Sequence, residues 1–285
     1  MSPPSSAGSG PTQLAEPGSV PVARSDEEDS VAGTGTLGKA IAVLDLVAGA
    51  DQPLRFGDLL RIAGQPRGSL HRQLRHLVAE GLLDVAPDGS YSPGLRLLAF
   101  ASKAWSRNSV RQIAEPHLHR LQEMTGETIH FGVLRGVDVV YLDKLESRQA
   151  VRMHSQVGNN APVYCTGVGK AALASLDPAA RADLIGRLVF RSFTPETLID
   201  AAGLNAEVEE TASRGYALDW EEHQPGIRCV AASIRVDAQG FVGGVSVTAP
   251  AFRADHAQLQ AWSVPLRTAA AAISRDVECG LGPRR

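Results

Sequence analysis

The chain is short of cysteine, of excess positive charge and of long apolar runs, and each shortage closes off a class of protein. Three cysteines in 285 residues, Cys165, Cys229 and Cys279, are odd in number and widely spaced, which suits neither a disulfide framework nor a zinc knuckle. A reducing cytoplasm is the expected setting. A formal charge of −3 argues against indiscriminate coating of nucleic acid, so any anion-binding surface has to be local. No apolar run approaches the roughly 18 to 20 residues a bilayer requires, and the N-terminus lacks the basic and apolar regions of a signal peptide. Neither a membrane nor export is expected. What the chain does have is 44% hydrophobic residues, enough for one large domain or two of ordinary size.

Residues 1–33 are dominated by Ser, Pro, Gly and Ala and end in an acidic run, Asp26 to Asp29. With almost nothing to bury against chain entropy, this stretch reads as a disordered tail. From Thr36 the pattern changes. Leu37, Ile41, Leu44 and Ala48 recur at helical spacing, and Phe56, Leu59, Leu60 and Ala63 predict a second, shorter helix stopped by Gly64. Pro66 then stands where a third helix starts.

That third helix lies in "GQPRGSLHRQLRHLVAEGLL", Gly64 to Leu83. At 100° per residue Leu70, Leu74, Leu77 and Val78 share an arc of about 100°. Ser69, Arg72, Gln73 and His76 are read as the opposite side, with Gly68 and Arg75 flanking. No acidic residue stands between Gln65 and His76, whereas an ordinary solvated face interleaves both signs. "GLLDVAPDGSYSPG" follows, two short apolar segments around the turn Pro87-Asp88-Gly89. A basic amphipathic helix alone reads as a plain surface helix. With a tight turn before it and a hairpin after it, the reading becomes a winged helix-turn-helix over 34–94. In that geometry Ser69, Arg72, Gln73 and His76 face base edges of duplex DNA, Arg67, Gly68 and the helix N-terminus approach phosphate, and Arg75 contacts the backbone from the side.

"LRLLAFASKAW", Leu95 to Trp105, is apolar on two stripes and so needs two partners. A linker helix over 95–112 that pairs with its twin across a dimer axis accounts for both and suits paired half-sites. Beyond a helix ending near Gly126, alternation predicts strands at 129–133, 137–141, 151–155, 227–236 and 241–248, with helices at 167–176, 179–187, 204–214 and 256–274. The remainder, 113–285, is thus an α+β domain with a mostly antiparallel sheet.

Most chemical motifs fail here. "TGVGKAA", Thr166 to Ala172, lacks phosphate-loop spacing, and "GVSVT", Gly244 to Thr248, lacks the second glycine of a nucleophile elbow. Asp219, His223 and Cys229 can be drawn as acid, base and thiol, but sequence proximity does not make that geometry. His223 and Cys229 are too few for a metal site. No catalytic residue, metal or cofactor is expected. A thiol enzyme using Cys229, or a redox sensor using Cys165 or Cys229, is the alternative. What survives is a pocket. Ser246 and Thr248 share one face of a strand, either solvent-facing or offering two hydroxyls in a row. Gly167 and Val168, read as preceding a helix, offer N–H groups suited to a carboxylate.

The stretches "TLGKAIAVLDLV" from Thr36, the Gly64 stretch, "PHLHRLQEMTGETIHFGVL" from Pro116, "APVYCTGVGKAALASL" from Ala161, "RGYALDWEEHQPGIRCVAASI" from Arg214 and "GVSVTAP" from Gly244 together resemble the IclR family of bacterial transcription regulators. The resemblance runs from Thr36 to the C-terminal helix. It implies a winged helix-turn-helix, a linker helix and a GAF-like or PAS-like effector domain, acting as a dimer or tetramer on palindromic operators and sensing small organic or aromatic acids. Matched position by position, the family's effector pocket falls on Met153, Ala161, Gly167, Val168, Asp219, Ile227, Cys229, Ser246 and Thr248. A repressor is expected in preference to an activator. Against the family pattern, Gly68 stands where Ser or Thr is common, Gln65 replaces an apolar turn residue, Arg55 replaces a capping hydroxyl, and Ala161 is small, leaving room for a bulkier ligand.

Overall fold

The computed structural model describes residues 35–149 and 155–280. The tail expected over 1–33, most of the strand expected over 151–155 and Met153 lie outside the described residues. The chain divides into two compact units, with the boundary between Ala101 and Ser102.

In the first unit α1 (Gly35–Ala48), α2 (Phe56–Ile62) and α3 (Arg67–Ala79) enclose one small core. Val43, Val47, Leu59, Leu70, Leu74, Leu77 and Leu83 meet in it, each side chain worth about 1.5–3 kcal/mol on full burial. The stripe expected on α1 is rotated. Leu37 and Ile41 are exposed and Val43, Leu44 and Val47 are buried, because the i, i+3, i+4 set that reaches α3 begins one residue earlier than the set read from sequence. The α2–α3 turn is tied to α1 by Gln65, whose amide donates to the Lys39 carbonyl at 3.2 Å.

The wing has three strands. β2 (Leu83–Val85) and β3 (Ser90–Pro93) form the expected hairpin, and β1 (Leu54–Arg55) pairs with the other edge of β3, giving the order β1-β3-β2. A two-residue strand leaves no periodicity to detect, so β1 was invisible to pattern reading. Gly89 at the hairpin turn has φ of 80°, a conformation only glycine adopts at no steric cost. Asp88 holds the turn by accepting from the Ser90 hydroxyl at 2.7 Å and pairs with Arg55 at 3.0 Å.

The linker is shorter than the 95–112 expected. α4 (Leu95–Ser106) stops, and α5 (Ser109–Thr125) starts under an Asn108 cap, whose side chain accepts from the Arg111 amide at 2.9 Å. An Asn N-cap satisfies an orphan helix donor and so fixes a new start.

The second unit is built on one six-stranded sheet in the order β6-β5-β4-β9-β8-β7, from β4 (Thr128–Arg135), β5 (Asp138–Leu145), β6 (Asn160–Pro162), β7 (Ala217–Trp220), β8 (Ile227–Val236) and β9 (Phe241–Pro250). Every pairing described is antiparallel. Alternation sends Ile129, Phe131 and Val133, Val230, Ala232 and Ile234, and Val245 and Val247 to one face, where they pack with α5 and α9 (His256–Glu278). The opposite face receives α6 (Gly167–Ala174), whose far side packs on α7 (Pro178–Gly186) and α8 (Ala201–Arg214). No described helix is long and apolar enough to cross a membrane.

Candidate functional sites

α3 starts without a side-chain cap, since its N-cap is Pro66. Its first-turn amides are therefore not satisfied by a capping side chain, and the helix carries no acidic residue in that turn, both favourable to an approaching phosphate. Arg67, Gly68, Arg72, Arg75 and His76 are exposed and Ser69 is half-buried. The Arg67 guanidinium lies 5.2 Å from the Phe56 ring centroid, which holds it near the helix start.

Gln73 departs from expectation. It is 2% exposed, its amide reaches Ser69 Oγ at 3.4 Å, and its Oε1 is buried without a partner. The reason is angular. Gln73 lies only about 60° from Leu70 on the helix wheel, beside the apolar arc and not opposite it. The exposed readers are thus Arg72 and His76, with Ser69 at the edge.

In the second unit the sheet face opposite α5 and α9 is polar along its middle. Register sets Asp219 beside Cys229, Cys229 beside Thr248, and Ser246 beside Ala231. The hydroxyls of Ser246 and Thr248 lie 3.3 Å apart and both residues are buried, which eliminates a solvent-facing side. Ile227 shares the parity of Cys229 and so the same face, and Ala161 is buried on β6 beside Val139. Val139 and Val168 pack together.

Gly167 and Val168 are the first two residues of α6 and do not precede it. A Cβ on Gly167 would stand 2.5 Å from Cys229 Sγ and 3.1 Å from Ala231 Cβ, so only glycine lets this helix start meet the sheet. Two of its amides are already engaged: Gly167 N–H faces the Cys229 sulfur and Gly169 N–H donates to Thr166 Oγ1 at 3.3 Å. This reduces the anion-holding capacity expected of that turn.

The structure adds residues that sequence reading missed. His130 on β4 sits on the polar face, its Nδ1 3.1 Å from Thr248 Oγ1 and its Nε2 2.7 Å from Ser155 Oγ, with Tyr141 at 4.9 Å between ring centroids. A hydrogen-bonded chain therefore runs Ser155, His130, Thr248, Ser246. Burial, reinforced by the Lys144 charge, lowers the imidazole pKa to about 3, so His130 is neutral at physiological pH. The signal was available: if Phe131 points to the core, His130 points to the other face.

Asp219 is anchored by the Glu222 amide, which donates to its Oδ1 at 2.9 Å. Burial, and secondarily the charge of Glu222, raises its pKa to about 7. Lys170, 1% exposed, is ion-paired with Glu222 and lies 3.5 Å from Glu207. The Glu222 carbonyl accepts from Thr197 Oγ1 at 2.6 Å. Next to it Glu221 takes φ of 66°, local strain offset by Gly226 N–H at 2.8 Å and by Arg228. None of this network has a sequence pattern, since its members come from four separate elements.

The thiol readings lose their chemical basis. Cys165 and Cys229 are buried, and burial pushes both thiols up, away from the reactive thiolate.

A winged helix-turn-helix followed by an α+β domain with a buried polar sheet face defines a two-domain DNA-binding regulator. The chain belongs to the IclR family of transcriptional regulators. The model for the bacterial transcriptional regulator IclR C-terminal region matches residues 102–275 and the IclR helix-turn-helix domain matches residues 36–87. The chain is 32% identical over 238 residues to the HTH-type transcriptional regulator XynR of Escherichia coli, covering 83% of this chain and 94% of that one. It is 30% identical over 225 residues to the HTH-type transcriptional repressor AllR of Salmonella typhimurium, covering 78% and 82%. Among solved structures it is similar to Thermotoga maritima IclR, at TM-score 0.65 and 28% identity over 86% of this chain and 99% of that one. It is also similar to an IclR homolog from Microbacterium hydrocarbonoxydans complexed with 4-hydroxybenzoate, at TM-score 0.69 and 25% identity over 86% and 99%.

Proposed function

We propose that this protein is a ligand-gated regulator that binds a palindromic operator as a dimer or tetramer and responds to a small organic or aromatic acid, acting as a repressor in the cytoplasm. The observation that carries the reading is the pairing of an exposed basic α3 with a buried polar sheet face whose groups are wired to one another. Duplex DNA meets Arg72 and His76 at base edges, with Ser69 at the rim, while Arg67, Gly68 and Arg75 meet phosphate. The effector meets Ala161, Gly167, Val168, Asp219, Ile227, Cys229, Ser246 and Thr248, with Met153 assigned on the family match and His130 and Tyr141 added from geometry. A dimer is supported by α4, none of whose residues is buried although Leu95 and Leu98 are 79% and 68% exposed. The AllR name supports repression and the 4-hydroxybenzoate complex supports a carboxylate ligand.

Linkage supplies the mechanism. An acid that binds two arrangements of the dimer unequally shifts the population between them, and a coupling of about 1–3 kcal/mol gives roughly 5- to 150-fold control of DNA affinity. The test is binding of the full-length protein to the DNA upstream of its own gene and to random duplex, titrated with 4-hydroxybenzoate, benzoate and pyruvate. Specific binding altered by one of these acids is expected. Specific binding that no acid alters would leave a DNA-binding protein without this control.

A further inference from the structure

A bulge leaves one residue of a strand without its ladder partners, and a backbone carbonyl so freed needs another donor. On β5 the register against β4 slips between Tyr141 and Asp143, and Leu142 is the extra residue. Its carbonyl accepts from the indole N–H of Trp105 at 3.0 Å. Tyr141 turns its own backbone to the neighbouring loop, donating to Asn159 O at 3.2 Å and accepting from Gly158 N at 2.8 Å.

Trp105 is the last residue but one of α4, the helix that is continuous with the end of the first unit. The Arg111 guanidinium covers its ring at 3.6 Å, and Arg111, itself buried, donates to Asp143 Oδ2 at 2.8 Å. Gln112 Nε2 closes the joint by donating to the Ser106 carbonyl at 2.6 Å. The end of α4 thus grips two consecutive β5 residues, Leu142 directly and Asp143 through Arg111. One residue earlier, Tyr141 packs with Val139, Val168 and Ala231 and faces His130, inside the candidate effector site.

We infer that Trp105 is a positioning residue that couples the effector site to DNA binding. A displacement of Tyr141 moves the Leu142 carbonyl, and the indole at the end of α4 either follows or loses its acceptor. This rests on the ligand-gated reading, and it places the coupling at one hydrogen bond that can be removed without removing the ring.

Coupling is reciprocal, so DNA itself interrogates it from the other side. The experiment compares hydrogen exchange of amides 139–145 in the full-length protein, free and saturated with a duplex that it binds, either its own upstream region or random sequence at low salt. In wild type, bound DNA is expected to change exchange at these amides by roughly fivefold or more. Trp105→Phe, which keeps the ring under Arg111 and removes the N–H, is expected to retain its melting temperature and bind DNA within threefold while losing that change. Trp105→His, which restores a ring N–H, is expected to recover it. Exchange that ignores bound DNA in wild type, or a Trp105→Phe variant that responds as wild type does, overturns the assignment. A wild type that binds neither duplex instead refutes the regulator reading on which it rests.

Discussion

The arginines of α3 stand in water and the polar groups of the sheet face stand out of it, and that difference sets what each surface is able to recognise. Arg67, Arg72 and Arg75 are exposed, so their charges act in a high dielectric. They suit a partner that brings many charges of opposite sign and releases many counterions. Asp219, His130, Ser246 and Thr248 are at most 7% exposed, and a desolvated group left without its hydrogen bond costs about 1–3 kcal/mol. Such a surface accepts only a ligand that replaces the bonds it displaces. The first gives affinity that tolerates substitution, and the second gives selectivity that does not.

The comparison is broken most severely at Lys170. This ammonium is buried against Glu222, with half-buried Glu207 at 3.5 Å, and Glu222 Oε2 has no hydrogen-bond partner. Lys170→Met leaves a buried carboxylate uncompensated and is expected to cost about 3–5 kcal/mol of stability, read as a lower denaturant midpoint. Charge removal at the exposed Arg72 or Arg75 is expected to leave the midpoint nearly unchanged.

Next in size is a pH effect confined to the second unit. Asp219 has a folded pKa of about 7 against an ordinary 3.8, so the folded state binds the extra proton. Its contribution is fully present below pH 3.8, fades as pH rises and is lost above about 7. Glu222, also raised by burial, acts in the same direction. His130 and His223, both lowered by burial, act oppositely and remove stability as pH falls below 6.5. The difference between wild type and Asp219→Asn isolates the first effect. The variant's melting temperature is expected to exceed that of wild type at pH 8 and to lose the advantage toward pH 4. Parallel curves would mean that Asp219 is ionised throughout and that the two surfaces differ less than their burial implies.

The helices, the β8–β9 hairpin and the wing were legible in the sequence because each has a period or a turn residue behind it: α3 through Leu70, Leu74 and Leu77, and the wing through Pro87-Asp88-Gly89. The candidate site was legible wherever one strand's alternation carried it, as at Ser246 and Thr248, or where the family match supplied positions. The Lys170–Glu222 network was not, because it depends on which loops meet over α6. β1 was too short to show a period. Gln73 departs from its expected place because it stands only about 60° from Leu70 and about 40° from Leu77, at the border of the apolar arc and not across from it.

At Arg72 the comparison sharpens. If its guanidinium reads a guanine, Arg72→Ala is expected to cost about 1–3 kcal/mol of specific binding and to relax preference at one base pair. Arg75→Ala is expected instead to weaken all sequences alike and to lower the salt slope by about one. Competition between operator variants at several salt concentrations separates the two, and equal loss on specific and random DNA would move Arg72 to the phosphate set.

The smallest effect is expected where the two surfaces meet in one residue. Gln73 lies on the DNA-contact helix yet is buried like a residue of the sheet face, with an orphan amide oxygen. Replacing it by methionine removes a desolvated polar group at nearly constant volume, so stability is expected to change by less than about 1.5 kcal/mol in either direction. Its amide reaches Ser69 Oγ at 3.4 Å, a long contact that half-exposed Ser69 is able to exchange for water. Operator preference is therefore expected to stay the same for Gln73→Met. A shift in base preference at constant stability would show that Gln73 turns outward on DNA, and would return it to the reading face from which its burial now removes it.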